Sequence, residues 1–207
     1  MSAVEAFATA PELADWAAAL IHGRRTTLPK RLGGRGPNAA QLRVILEAAA
    51  AAPDHAELLP WRFVMIPTAR RGLLAEVFAA SLRDRDPAAT EGQLAQARAK
   101  AYRAPVLMLA IAKLCEEGSE VPNLERVVSA GCAIQNMLLM ATALGFGSSL
   151  TSGKALASCA LRELFSLAPD ERPLCFVSIG TVLQEKHRRP RPPVERFFAE
   201  LAGAIQD

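Results

Sequence analysis

The most apolar stretch of the chain is Ser129–Leu144, SAGCAIQNMLLMATAL, and it carries no charge. The uncharged run extends from Val127 to Gly153, with Gln135 and Asn136 as the main polar interruptions of its inner part. A surface helix keeps a polar face, and this segment has none, so it reads as a helix buried on all sides. In a chain this short, that points to a central helix sheathed by a second subunit. Ser129 is placed to cap its start and Gly145 to stop it, because glycine accepts the left-handed turn that ends a helix. A membrane span needs roughly 20 predominantly apolar residues. The amide pair near the middle, and a Gly-Ser-Thr-rich run where a basic interfacial anchor belongs, argue against one.

Around this helix the pattern alternates. Pro11–His22 reads as an amphipathic helix with Leu13, Trp16, Ala17, Leu20 and Ile21 on one side. Leu28–Asn38 reads as a Gly/Pro/Arg connection, and Ala39–Ala52 as a helix lined by Leu42, Ile45, Leu46 and Ala49 and ended by Pro53. Trp61–Pro67 is a predicted strand, Arg70–Leu82 and Leu94–Tyr102 are helices, and Val106–Ala112 is a buried strand. Ser148–Gly153 is extended, Leu156–Phe165 is helical, and Pro173–Val182 is the clearest strand, rich in β-branched residues. A last amphipathic helix is predicted at Val194–Ile205. Strands alternating with very apolar helices indicate an α+β or α/β sandwich. Gly145-Phe146-Gly147 is no dinucleotide fingerprint, because that motif runs strand, glycines, helix, and here the helix comes first.

Composition narrows this picture. With 207 residues, 51% hydrophobic and 22% charged, the chain suits one domain or one protomer of an obligate oligomer. A net charge of +3 gives no case for a nucleic-acid partner. Cys115, Cys132, Cys159 and Cys175 are scattered, as expected of free thiols in a reducing cytoplasm, and no Cys/His spacing points to a metal. The N-terminus has acids early and lacks the basic-then-apolar order of a signal peptide.

Two stretches carry candidate chemistry. Arg24-Arg25-Thr26-Thr27 follows the first helix; guanidinium forks and hydroxyls suit phosphate oxygens, although a solvated basic turn has the same composition. His55 sits in a loop held between Pro53 and Pro60, placed either to meet a ligand or to serve the fold.

The order of these pieces resembles the nitroreductase family of FMN-dependent oxidoreductases, and within it the small bacterial NAD(P)H nitroreductases. Arg24-Arg25-Thr26 follows the first helix as the family's Arg-Arg-Ser does. Ala52-Pro53-Asp54-His55 through Pro60-Trp61-Arg62-Phe63 resembles its Ala-Pro…Pro-Trp loop. Arg103-Ala104-Pro105 leads a strand, Cys115-Glu116-Glu117 and Val121-Pro122 follow it, and Ser129-Ala130-Gly131-Cys132-Ala133 opens the long helix. Gly145-Phe146-Gly147, Ser152-Gly153 and Gly180-Thr181 come in turn.

The resemblance implies an α+β, nitroreductase-like three-layer sandwich with a central mixed or antiparallel sheet, forming an intertwined homodimer. It implies one FMN-binding domain over 1–207, with a flexible N-terminus at 1–10 and a C-terminal arm at 183–207. Arg24, Arg25 and Thr26 would hold FMN at its phosphate and ring edge. Ala51 and His55 would meet it from the loop, and Leu150, Thr151 and Ser152 from the segment after the helix. Met140, Ala141, Thr142, Ala143, Leu144 and Gly145 correspond to the stretch associated with the nicotinamide nucleotide. A late basic residue, Arg188, Arg189 or Arg191, would reach the phosphate.

The implied activity is cytoplasmic hydride transfer from NAD(P)H through flavin N5 to a small electron-poor acceptor (nitroaromatic, quinone or enone), in a ping-pong mechanism with no side chain assigned as catalytic. The alternative is a flavin-binding sensor or store without turnover. Ala51 stands where the subgroup has arginine, Glu57 and Leu59 replace an Asn-x-Gln, and Leu150-Thr151 replaces a Trp-Arg pair. These departures make the expected pocket less basic, with fewer hydrogen bonds to the flavin. Val182 also stands where a proline is common.

Overall fold

The computed structural model describes residues 9–115, 119–185 and 190–201. Six α-helices surround one sheet among them: α1 Ala10–Gly23, α2 Ala39–Ala49, α3 Arg71–Arg85, α4 Glu91–Ala99, α5 Asn123–Ala143 and α6 Cys159–Leu164. The strands are β1 Leu32–Gly33, β2 Trp61–Met65, β3 Val106–Lys113, β4 Gly147–Thr151 and β5 Glu171–Val182.

The named strands all pair antiparallel. β2 lies against β3, β3 against β5, and β5 against β4, with β1 joining β5 at Leu32–Val182 and Gly33–Thr181. A single parallel bridge, Thr26 to Ser148, adds the stretch after α1 to the free side of β4. Alternation along β3 makes the layers. Val106, Met108, Ala110 and Ala112 pack with α2 and α5 on one face. Leu107, Leu109 and Ile111 pack with α3 and α6 on the other. The fold is therefore an α+β three-layer sandwich.

Local chemistry explains the element ends. Asn38 and Gln41 form a capping box on α2, as Thr90 and Gln93 do on α4. The long helix starts two turns earlier than Ser129: Pro122 is its N-cap, and Ser129 lies buried inside it. The polar groups of residues 123–128 are used locally. Arg126 Nε donates to Val121 O at 3.2 Å, and Asn123 exchanges hydrogen bonds with the Cys115 main chain at the end of β3. The other end is as expected. Gly145 has φ +80°, Phe146 N–H donates to Ala141 O and Gly145 N–H to Thr142 O, a Schellman stop.

Five other expectations are revised. The α5 helix is not covered on all sides within one chain, since Leu124 and Val128 are exposed; α1 likewise buries no residue, with Trp16 60% exposed. Leu46 of α2 is also exposed, and the helix ends at Ala49, ahead of Pro53. The tail forms only a 3-10 turn, Val194–Arg196, and no helix through Leu201, because Phe197, Phe198 and Leu201 have no core face to bury against. Residues 202–205 of that predicted helix lie outside the described residues. Leu28–Asn38, read as a plain connection, contains a 3-10 turn and β1.

No helix among the described residues is long and apolar enough to cross a membrane, and no group of His, Cys, Asp and Glu there could hold a metal ion. The four thiols are free.

Candidate active site: a cationic cleft at the end of the long helix

The end of α1, the end of α5 and the start of β4 meet at one place. Thr26 bridges Ser148, and Thr27 N–H donates to Ser148 O at 2.9 Å. This pairing carries Arg24 and Arg25 onto the rim of a cleft of about 780 Å³ beside Thr142, Gly145, Phe146 and Gly147. The far wall comes from the tail, where Arg191 Nη2 donates to Arg24 O at 2.8 Å. Gly147 has to be glycine here: a Cβ would lie 2.6 Å from Val182 Cγ2 and 2.8 Å from Leu32 Cδ2.

The electrostatics of the cleft are unbalanced. Arg24, Arg25, Arg31 and Arg191 line it against one acid, Glu185. None of these arginines has an ion-pair partner among the described residues. Burial, then the charges of Arg191 and Arg25, pushes the Arg24 pKa down from the usual arginine value. Arg25 bonds through Nη1 to the carbonyls of His22 and Arg24, but its Nε is buried with no partner. A buried, unmet N–H is costly, so this arrangement is built to receive an acceptor. Two more donors, Thr26 and Thr27, stand beside it.

The other sequence candidates fall elsewhere. Ala141 is wholly buried in the core and Met140 half-buried; among the helix-end candidates, Thr142 and Gly145 face the cleft. Thr151 and Ser152 line a neighbouring cleft, and Leu150 is exposed. Of the late arginines, Arg191 is at the site, and Arg188 and Arg189 lie outside the described residues.

Ala51 and His55 are at the opposite end of α5. His55 Nδ1 lies 2.9 Å from Glu125 Oε2 in the first turn of that helix. The run from Glu125 to Thr142 spans about 25 Å at roughly 1.5 Å per residue. The His55 loop is also strained: Ala56, Glu57 and Leu59 all have positive φ (59°, 53° and 46°). Asp54 holds it closed by accepting from Leu59 N–H at 2.7 Å, while its Oδ1 is buried without a partner.

Sequence reasoning missed Arg31, Phe146 and Glu125. Arg31 was hidden in a loop read as a plain connection, and Glu125 carried no signal beyond an acid near a helix start.

A family model described as "Nitroreductase family" matches residues 21–181. A Haemophilus influenzae protein named "Putative NAD(P)H nitroreductase" is 36% identical over 162 residues, covering 78% of this chain and 87% of that one. Among solved structures, a nitroreductase-like family protein from Bacillus cereus has TM-score 0.74 at 19% identity, covering 90% of this chain and 96% of that one. Oxidised iodotyrosine deiodinase, bound to FMN and 3-iodo-L-tyrosine, has TM-score 0.66 at 20% identity, covering 89% and 97%.

Proposed function

The chain belongs to the nitroreductase family, and from that premise we propose that it is an FMN-dependent oxidoreductase that takes reducing equivalents from NAD(P)H and reduces a small electron-poor acceptor. The observation that carries the cofactor is the unmet donor set. Arg25 Nε is buried without a partner, beside Arg24, Arg191 and the hydroxyls of Thr26 and Thr27. An FMN phosphate fits that chemistry: it brings several acceptor oxygens and a negative charge to a cleft short of both. Bound there, FMN would supply two-electron chemistry, hydride in from NAD(P)H and two electrons out to a nitroaromatic, quinone or enone in a ping-pong cycle.

The chain's own part is binding, orientation and charge. Arg24 and Arg25 supply fixed positive charge, which favours anionic states of whatever lies against them. Thr142 and Gly145 open the end of α5 to the same cleft, where a nicotinamide nucleotide would approach. Leu150, exposed after the start of β4, and Thr151 and Ser152, on the neighbouring cleft, would carry the flat ring once the phosphate is held by the arginines. Among the described residues that line the cleft, Glu185 on the tail wall is the one acidic or imidazole group.

His55 cannot serve the same ligand as Arg24 within one chain, since the length of α5 separates them. Both reach one ligand if two copies pack through their α5 helices in opposite directions. The exposed apolar residues of α5 and α1 supply the surface for such a homodimer.

The absorbance spectrum of the purified protein, followed by anaerobic addition of NADPH or NADH, tests the reading. A flavin band that bleaches on mixing supports it. A flavin band that persists with both nucleotides would leave a flavin store, and no flavin uptake from added FMN would overturn the site assignment.

A further inference from the structure

Glu125 ties the His55 loop to the first turn of α5, with its Oε2 2.9 Å from His55 Nδ1. It has no other ion-pair partner among the described residues. The two side chains are 58% and 52% exposed. An ion pair so open to water adds little to stability, so its use lies elsewhere.

The loop that carries His55 is built to hold one shape. Ala56, Glu57 and Leu59 take left-handed φ without being glycine, and such strain survives only where the surroundings dictate it. Here they do so at both ends. Asp54 Oδ2 accepts from Leu59 N–H at 2.7 Å across the loop. Pro60 is buried behind it, and its carbonyl accepts from Lys113 N–H at 2.9 Å at the end of β3. The backbone is thereby fixed, and the rotation of the His55 ring is the freedom that Glu125 removes.

Chemistry decides what the ring then offers. An ionised carboxylate only accepts hydrogen bonds, so the imidazole nitrogen facing it carries a proton. In the neutral imidazole this leaves Nε2 bare, as an acceptor. The Arg24–Arg25 cleft is the reverse, since its guanidinium groups only donate. A ligand that meets both needs acceptor oxygens at one end and an O–H or N–H donor at the other.

We propose that Glu125 is a positioning residue: it holds His55 as the Nδ1–H tautomer, so that Nε2 accepts a hydrogen bond from an O–H or N–H of the bound ligand. This deepens the proposed function and rests on it only for the ligand's identity. On FMN the donors of that class are the ribityl hydroxyls and the ring N3–H.

Nitrogen NMR of histidine-labelled protein at pH 8 reads the tautomer with or without flavin. The chain has 3 histidines, and His55→Gln assigns the signal. The native protein should carry its proton on Nδ1. In Glu125→Ala the majority should move to Nε2, the tautomer a free imidazole prefers. Fluorescence titration of the apoprotein with FMN reads the consequence. Glu125→Ala should weaken binding about 10-fold, the size of one lost hydrogen bond, and should weaken it no further in a His55→Ala background. Glu125→Gln keeps an acceptor oxygen and should recover part of both the affinity and the native tautomer. Titration with N3-methyl-FMN separates the donors. Binding as tight as that of FMN assigns a ribityl hydroxyl, and a loss seen with His55 but not with His55→Ala assigns N3–H. A native proton on Nε2, an unchanged tautomer in Glu125→Ala, or an equal loss of affinity with and without His55 would overturn the proposal. If the protein takes up no FMN, the proposed cofactor falls, and the tautomer measurement alone decides the role of Glu125.

Discussion

Arg191 in the tail donates from Nη2 to the main-chain oxygen of Arg24 at the end of the first helix, 2.8 Å away. One side chain thus fastens the last described segment to the first and adds a guanidinium to the cationic cleft. Arg191→Ala should weaken FMN binding by about 10- to 100-fold, from a charge-assisted bond worth roughly 1.5–3 kcal/mol. Arg191→Lys should recover part of it, by keeping the charge and losing the fork. Fluorescence titration of the apoprotein with FMN measures both. An unchanged affinity would remove Arg191 from the site.

The separation of His55 from Arg24 along α5 predicts complementation between copies. Neither the Arg24→Ala, Arg25→Ala protein nor the His55→Ala protein should hold flavin as the native chain does. Unfolding and refolding the two together should produce mixed dimers with one native site of two. Flavin content rising above that of either parent is the expected result. A mixture no better than its parents would mean that each chain builds its site alone.

Arg71 tests what holds the α3 layer. The residue is 3% exposed, and its guanidinium donates to four carbonyls: Ile66 at 2.9 Å, Ala101 at 2.8 Å, Ala104 at 2.9 Å and Pro105 at 3.1 Å. Burial pushes its pKa down, and no carboxylate offsets that, so the carbonyl dipoles alone satisfy the group. Arg71→Met leaves these carbonyls unmet and should cost about 3–5 kcal/mol in urea unfolding. Should that variant not fold, Arg71→Lys, which reaches fewer carbonyls, is expected to lose about 1–3 kcal/mol.

Acid stability should carry the mark of Glu171. Its carboxylate accepts from Arg62 Nε at 2.5 Å and Nη2 at 2.7 Å, and from Ala168 N–H at 3.0 Å. The Arg62 hydrogen bond, opposed by burial and helped by Ala168, holds its pKa below the usual carboxylate range. A depressed folded pKa gives stability that is complete above the unfolded value of about 4.3 and is lost as pH falls through the folded one. Glu171→Gln should therefore be less stable at pH 7 by about 1 kcal/mol, discounted for the exposed side of Arg62, and show a shallower decline below about pH 4.3. Parallel slopes in that acid window would contradict it.

Thiol reactivity should divide by burial. Burial pushes the Cys175 thiol up to about 11, while Cys159 is exposed. In the native protein at pH 8, a thiol reagent should modify Cys159 first and leave Cys175 untouched until unfolding. Peptide mapping after a short pulse distinguishes them.

The apolar runs made β3 and β5 legible, because a strand buried on both faces cannot avoid such a run. The stop of α5 was equally plain, since Gly145 can take φ +80° at no cost. Its start was not, because Arg126 and Glu125 resemble surface charges until the carbonyl of Val121 and the ring of His55 are seen beside them. The tail misled in the opposite sense. Its apolar spacing is helical, but Phe197 and Phe198 have nothing to pack on, and spacing alone does not make a helix. At the site, the residue types were readable and the distances were not. Arg24 and His55 each had a structural alternative in the sequence and gained a ligand only from the family resemblance, and only the fold shows them at opposite ends of one helix.

The unburied first helix reaches further than packing. Arg24 and Arg25 hang from the end of a 14-residue helix that buries nothing of its own in this chain. Their position depends on whatever covers Trp16 and Ile21 as well as on the Thr26–Ser148 bridge and Arg191. If a second copy is the cover, ligand binding and assembly obey a single mass-action law. Diluting the protein should release flavin without any change in free flavin, and adding flavin should draw subunits together.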